Sequence, residues 1–556
     1  MIKLYQNTDK SETLKMIDVL IIGAGGAGLV SAIHAKQAGA SVQVICQKTP
    51  TRSQTSMAQG GINAALNHHN DDDSVEAHIS DTLKSSHGIG SLEAIEKLCT
   101  EGIDAIKWLD EIGVPFSRDE NAKIAQRRLG GASGIRACYA QDYSGLKILH
   151  TLYDYANKLG IEFIDEHFLL NFITHQDENS KQIAGATFIN LKNGDAEAYY
   201  AKTVIVATGG YSRVYHKHST NATGSTGDGI AAAIRAGAHL SDMEFVQFHP
   251  TGLKNSSILI SESARGAGGY LVNSKGERFT NELLPRDELS RAILTEIEKG
   301  EDIYLDIRHL GEAFINEELP QERKLAKLYE NIDPVTDLIP IKPVAHYTMG
   351  GIRVDKHSQT SIKNLFAVGE CANRSVHGGN RLGGNSLLEL IVFGKEAGIN
   401  AANTAKNLKK FAVNNHQLTS DSNFVTGVKY FTNQIDFYEK REFMGNIFYN
   451  NAGIVKDDMG LKAVLGAVRQ MQKELPFMGP RDKSKIYNTN LVEFIEFGNM
   501  VELAEIILVC AISRVESRGS HYRSDAPREV DHAFKAHTIT WKEDGVLCAD
   551  FVGDKA

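Results

Sequence analysis

The sequence predicts an α/β protein. It has a discontinuous domain built on a parallel sheet, an inserted α+β domain, and a C-terminal helical domain. Three observations predict this. An apolar strand, a glycine-rich turn and a helix open the chain at 17–39. Strand-like and helix-like segments then alternate as far as residue 206, the pattern of an α/β domain. A short apolar run at 365–369, LFAVG, returns to that pattern after the different texture of 241–344.

The first strand is IDVLII at 17–22, apolar throughout as a buried parallel strand requires. GAGGAG follows at 23–28, a helix over roughly 27–39, and the strand SVQVIC at 41–46, which completes a βαβ unit. Residues 92–113 repeat apolar residues at three and four and predict a helix, as do residues 143–160, ending on Gly160. IEFID and the stretch 185–206, ending in TVIVATGG, predict strands. Charged loops with short strands and helices mark 241–344 as an inserted lid. From about 420 to 515 the pattern is helical, and 516–556 reads as a polar tail. The expected division is 1–240 and 345–410 for the two segments of the first domain, 241–344 for the capping domain, 411–515 for the helical domain, and 516–556 for the tail.

Composition narrows the function. The 556 residues are 42% hydrophobic and 23% charged, an ordinary globular balance. A net charge of −9 with scattered Lys and Arg gives no reason to expect nucleic acid. The six cysteines form no CxxC pair, so no metal or iron–sulfur site is expected from this chain alone, and scattered thiols fit a reducing compartment. The N-terminus lacks the apolar core of a secretory signal, and Arg127–Arg128 is internal and no export signal. No uncharged apolar stretch is long enough to span a membrane; LAEIILVCAIS at 503–513 contains Glu505 and reads as a core helix.

Gly23, Gly25 and Gly28 match GxGxxG between a strand and a helix. The first glycine permits the tight turn, the second lets backbone approach a pyrophosphate, and the third lets helix pack on strand. With Ala24, Gly26 and Ala27 they form the expected phosphate cradle of a Rossmann-like domain, and the helix N-terminus offers free N–H groups to the anion. ATGG at 207–210 and GE at 369–370 also follow strands, as they do where flavoproteins wrap FAD. The ribose acid expected after the second strand is missing: Gln47 and Lys48 stand there. The glycine motif alone leaves the dinucleotide open.

Six longer segments come in order: TRSQTSMAQGGINAAL at 51–66, QFHPTG at 247–252, SESARGAGGY at 261–270, PRDELSRAI at 285–293, AHYTMGG at 345–351 and HGGNRLGGNSLLEL at 377–390. With ESRGSHYRSD in the tail, they resemble the flavoprotein subunits of succinate dehydrogenases and fumarate reductases, from about residue 17 to 540. The resemblance implies an FAD-binding domain, a capping domain and a C-terminal helical domain. It puts Lys48, Ser53, Gln54, Thr55, Gly60 and Gly61 beside FAD, Asp228 and Glu370 on its sugar and ribityl parts, and Ser386 and Leu387 near its ring.

The implied reaction interconverts fumarate and succinate. A site for two carboxylates flanking a C=C bond needs cationic and hydrogen-bonding groups at both ends, a hydride from one face and a proton from the other. By resemblance, His249 and Ser261 hold one carboxylate and His346 and Arg381 the other. Arg286 maps to the proton donor, and Glu262 and Arg265 to the relay that returns the proton. An Arg donor is an exception to the rule that Arg stays protonated, and it comes from the resemblance alone. Locally, Arg286 beside Asp287 reads as a surface ion pair and a lone His as a packed residue; the motifs carry the functional reading. Ser261 stands where many relatives have Thr and keeps the hydroxyl.

One departure matters. Many relatives have a His before Thr near 51–61 that carries FAD covalently; here the residue is Gln54, whose amide is not the nucleophile for that bond. Noncovalent FAD is expected. Without a polarised imidazole on the flavin, reduced flavin should be the stronger donor, which biases the enzyme toward fumarate reduction. L-aspartate oxidase shares the fold and the HPT, PRD and HY motifs and is the nearest alternative. A non-catalytic flavin-binding assembly subunit is another, and the full set of substrate-binding residues argues against it. The resemblance also implies an iron–sulfur partner subunit, membrane association through a further subunit, and a position on the cytoplasmic face of the inner membrane.

Overall fold

The computed structural model describes residues 16–68, 72–177, 180–409 and 414–553. Its main sheet, among the described residues, has seven strands. Ile17–Ile22 runs parallel between Val42–Ile45 and Asp195–Val206. Glu162–Ile164 extends the parallel set on one side, and Leu365–Ala367 pairs with the end of Asp195–Val206 on the other. The α/β class holds, and the first domain is assembled from both sides of the insert. The segment 185–206 is half of a long antiparallel meander: His167–Asp177, Ser180–Asn190 and Asp195–Val206.

The first helix covers Gly26–Gln37 and stops short of residue 39, because Gly39 turns the chain at φ +89°. It packs on the long helix Asn385–Asn407 at very short range. A Cβ on Gly398 would lie 2.3 Å from the Ser31 carbonyl oxygen, and Ser31 Oγ donates to the Gly394 carbonyl at 3.0 Å. The two small residues let the helix that follows the HGGNRLGG loop lie directly on the helix that follows GAGG, so both loops point into one cleft.

The insert is a four-stranded sheet in the order Val246–Leu253, Ile339–Thr348, Ile303–Asp306, Tyr270–Val272, backed by Arg286–Glu298. Its apolar core, including Leu271, Leu289, Ile293 and Leu305, is separate from that of the base. Four helices follow: His416–Val428, Phe437–Asn451, Asp458–Glu474 and Thr489–Ser513. Thr489–Ser513 is buried on nearly all sides.

Residues 516–552 are not a solvated tail. Arg514, Glu516, Arg518, His521 and Arg523 are buried. Their charges pair with one another and with the base: Arg514 Nε donates to Glu244 at 2.6 Å and Arg518 Nε to Glu516 at 2.7 Å. His537–Glu543 and Val546–Val552 form a hairpin that pairs antiparallel with Leu240–Ser241. Composition suggests a tail because each charge looks solvated until its partner is known. No described helix is long and apolar enough to cross a membrane.

Candidate active site

A deep cavity runs from the glycine loop to the junction of base and cap. Gly23 to Ala27, Lys48, Ser53, Gln54, Thr55, Gly60, Gly61, Glu370, Ser386 and Leu387 all line it, as do His249, Ser261, Glu262, Arg286, His346 and Arg381. Three predicted residues do not line it. Gly28 lies beneath the loop, Arg265 stands behind Glu262, and Asp228 sits beside the helix Thr489–Ser513, near Glu496. Asp228 opens the helix Asp228–Ala236, and its carboxylate accepts from Asn499 Nδ2 and Thr226 Oγ1, both at 2.7 Å.

The glycines divide their work as their spacing predicts. A Cβ on Gly23 would meet the Ala207 carbonyl oxygen at 2.2 Å, and one on Gly28 the Gly23 carbonyl oxygen at 2.0 Å. One on Gly25 would find only Thr55 and Ser53 side chains at 3.5–3.6 Å. So the first and third glycines pack backbone on backbone, and the second faces the open cradle. The first helical bond runs from Leu29 N–H to the Gly25 carbonyl, so the helix end presents its earlier N–H groups to the cavity. Ser53 Oγ and Thr208 Oγ1 are buried here without protein partners. A cradle of bare backbone with unpaired hydroxyls around it fits a phosphate-bearing dinucleotide. Gln54 lines the wall, and its Oε1 accepts from the Ala222 N–H at 2.7 Å.

At the other end, the cap brings the charged groups together. His249 and His346 sit on paired antiparallel strands, where a bulge on either side of His249 shifts the register. Their rings lie 4.9 Å apart. The Thr251 N–H donates to His249 Nδ1 at 3.2 Å, which leaves the ring proton on Nε2. Burial, then the charge of Arg286, holds both imidazoles well below their ordinary range, so they are neutral.

Glu262 and Arg265 belong to the short helix Glu262–Gly266, capped by Ser261, whose Oγ accepts from the Ser263 N–H at 3.0 Å. Ser261 therefore holds that turn as well as facing the cavity. Arg286 starts the helix Arg286–Glu298 and donates to Glu262 Oε2 through Nη2 at 2.7 Å and to Gln247 Oε1 through Nη1 at 2.9 Å. Arg265 Nη2 lies 3.9 Å from Glu262 Oε1. Burial alone would raise the Glu262 carboxyl; Arg286 and Arg265 outweigh it and hold the group ionised.

Arg381 comes from the loop before Asn385–Asn407. Its guanidinium lies 4.2 Å over the Tyr347 ring, its Nε has no partner, and burial with Arg286 nearby pushes it down to about 10. Tyr347 donates to Glu389 at 2.7 Å, and His377 bonds the same oxygen at 2.9 Å. Sequence reasoning missed Gln247, Tyr347 and Glu389, although all three lie inside quoted motifs. Burial pushes Glu370 up to about 7, and its Oε1 accepts from the Thr348 N–H at 3.0 Å.

Comparison with known proteins identifies the family. Residues 18–387 match the family of FAD binding domains, and residues 441–548 match the fumarate reductase flavoprotein C-terminal family. The chain is 38% identical to the succinate dehydrogenase flavoprotein subunit of Rickettsia conorii, over 94% of this chain and 92% of that one. It is 38% identical to the 8-methylmenaquinol:fumarate reductase flavoprotein subunit of Wolinella succinogenes, over 95% and 89%. A solved quinol fumarate reductase of E. coli superposes with a TM-score of 0.91 at 35% identity, covering 97% of each chain. The chain carries an FAD-binding domain and is an oxidoreductase belonging to the family of succinate dehydrogenase and fumarate reductase flavoprotein subunits.

Proposed function

We propose that this protein interconverts fumarate and succinate with noncovalent FAD and works chiefly as a fumarate reductase. One observation carries the reading: the charge balance at the base–cap junction. With both imidazoles neutral, and below about pH 7 where Glu370 is protonated, Arg265, Arg286 and Arg381 face Glu262, while Glu282, the other acid near Arg265, is balanced by Arg278. Two positive charges remain, which matches a dicarboxylate dianion.

Arg381, with an unpaired Nε, and His346 grip one carboxylate; His249, donating from Nε2, and Ser261 grip the other. FAD, when bound in the glycine cradle, supplies or accepts the electron pair as hydride. Arg286 gives a proton to the substrate carbon opposite that face, and Glu262, a carboxylate at rest, takes up a proton from solvent by way of Arg265 and passes it to Arg286 through the buried bond between them. Arg286 also stabilises negative charge as it develops next to the carboxylate.

The amide at Gln54 supports a flavin held without a covalent bond, and the lack of an imidazole there supports the bias toward reduction. The partners proposed are an iron–sulfur subunit and a further subunit that attaches the complex to the cytoplasmic face of the membrane; relatives named as menaquinol- and quinol-linked fumarate reductases support exchange of electrons with a quinol. The test is turnover by purified protein with reduced viologen and fumarate, against succinate with an oxidised mediator. Faster succinate oxidation would remove the directional claim. Iminoaspartate and peroxide from L-aspartate, without fumarate turnover, would replace the reading with L-aspartate oxidase.

A further inference from the structure

A second cavity opens beside the first and shares Gln47, Lys48, Thr49 and Arg52 with it. Its far wall is the helix Thr489–Ser513, which contributes Val492, Glu496 and Met500. Glu496 is only 5% exposed, and of the four glutamates on this helix it is the one that is buried, among Val492, Ile495 and Met500. A carboxyl is costly to keep in such a place unless it is used. Its Oε1 accepts from Gln47 Nε2 at 3.0 Å; its other oxygen makes no hydrogen bond among the described residues.

The position of Gln47 gives this pair meaning. It follows the strand Val42–Ile45, where a dinucleotide fold usually keeps the acid for the ribose diol. A dinucleotide whose pyrophosphate sits on the glycine loop extends its adenosine half over the end of that strand. The second cavity lies there. Of the other acids nearby, Glu166 and Glu493 also line this cavity but pair with Lys192 and Arg441, and Asp228 lines neither cavity and accepts from Asn499 and Thr226.

We propose that Glu496 is the adenosine-recognition residue of this FAD site, bonding the vicinal ribose hydroxyls from the C-terminal helix while Gln47 holds it in place. The acid missing from the end of the second strand is thus supplied from far along the chain. The inference rests on the first cavity being the flavin site and names the group that reads its nucleotide end. Burial, then Asp228, pushes the Glu496 carboxyl up to about 8, so near neutral pH it can donate to one ribose oxygen and accept from the other hydroxyl.

The test uses the full chain stripped of flavin and titrated with FAD, with FMN, and with an FAD analogue lacking the adenosine 2′- and 3′-hydroxyls, read by flavin fluorescence. Wild type should prefer FAD to the analogue by about tenfold or more. Glu496→Met, which fills the same volume, should erase that preference and leave FMN affinity unchanged. The melting temperature of its flavin-free form should hold or rise, because a buried polar carboxyl has been replaced by an apolar group. Glu496→Gln should keep most of the preference. A wild type that binds FAD and the analogue alike overturns the proposal and leaves the flavin site standing. So does a Glu496→Met variant that discriminates as wild type does. If Glu496→Met fails to fold, the wild-type comparison decides. A wild type that binds no FAD overturns both readings.

Discussion

Arg286 Nη2 lies 2.7 Å from Glu262 Oε2, and both side chains are almost wholly buried. The guanidinium reaches the cavity with a carboxylate directly behind it and Gln247 fixing its other branch. Arg286→Gln should keep FAD and lose roughly 10²–10⁴-fold in turnover, the range of a positioned acid–base group. The flavin absorption spectrum and steady-state fumarate reduction check both halves. Turnover near wild type would remove Arg286 from the chemistry.

Glu262→Gln should slow turnover too and also destabilise the fold. It leaves Arg265 and Arg286 facing each other without a counter-charge, and breaking a buried pair costs about 3–5 kcal/mol. Thermal melts of the holoprotein measure this. Added malonate, a dianion, should recover part of the loss.

Arg381 rests on an aromatic face and has little else holding it. Arg381→Lys should raise the KM for fumarate about 10- to 100-fold, since the planar fork is lost. Tyr347→Leu should raise KM in the same direction by removing the ring, and Tyr347→Phe much less. Steady-state kinetics on the three variants separate these outcomes.

Trichloroacetic acid should precipitate a colourless protein and leave the yellow flavin in the supernatant. Gln54 offers an amide whose oxygen is already engaged by the Ala222 N–H, not a ring nitrogen that can be alkylated. Colour in the washed pellet would show a covalent link.

Stability should fall as pH drops from about 6.5 toward 4. His249, His346 and His521 are held well below their ordinary range by burial, and His78 down to about 4 for the same reason. Their folded values lie below their unfolded values, so the unfolded chain binds more protons in that window. The stability they contribute is present above 6.5 and is lost as pH falls, at up to about 1.4 kcal/mol per unit for each group. Denaturant unfolding at several pH values gives the slope.

Much of this was legible in the sequence because local rules sufficed. The strand, glycine turn and helix at 17–37 carry their own periodicity, and the cavity draws on every one of the six ordered segments. What escaped depends on distant partners. Gln247 looks like any strand residue until Arg286 is set beside it, and Glu496 like a stray charge until Gln47 meets it. Asp228 carries a motif position, but its neighbour Asn499, which donates to it from a helix far along the chain, is invisible to local spacing. The charged stretch after residue 514 reads as solvated because spacing reveals a charge but not its counter-ion.

The strand His537–Glu543 joins the base beside Leu240–Ser241, and His537 bonds Asp242 at 2.6 Å, where the chain leaves for the cap. Every group proposed to face the substrate has left the ribosome well before this strand is made. A product cut short near residue 530 would carry all of those groups and still lack the clasp that steadies the cap's point of departure.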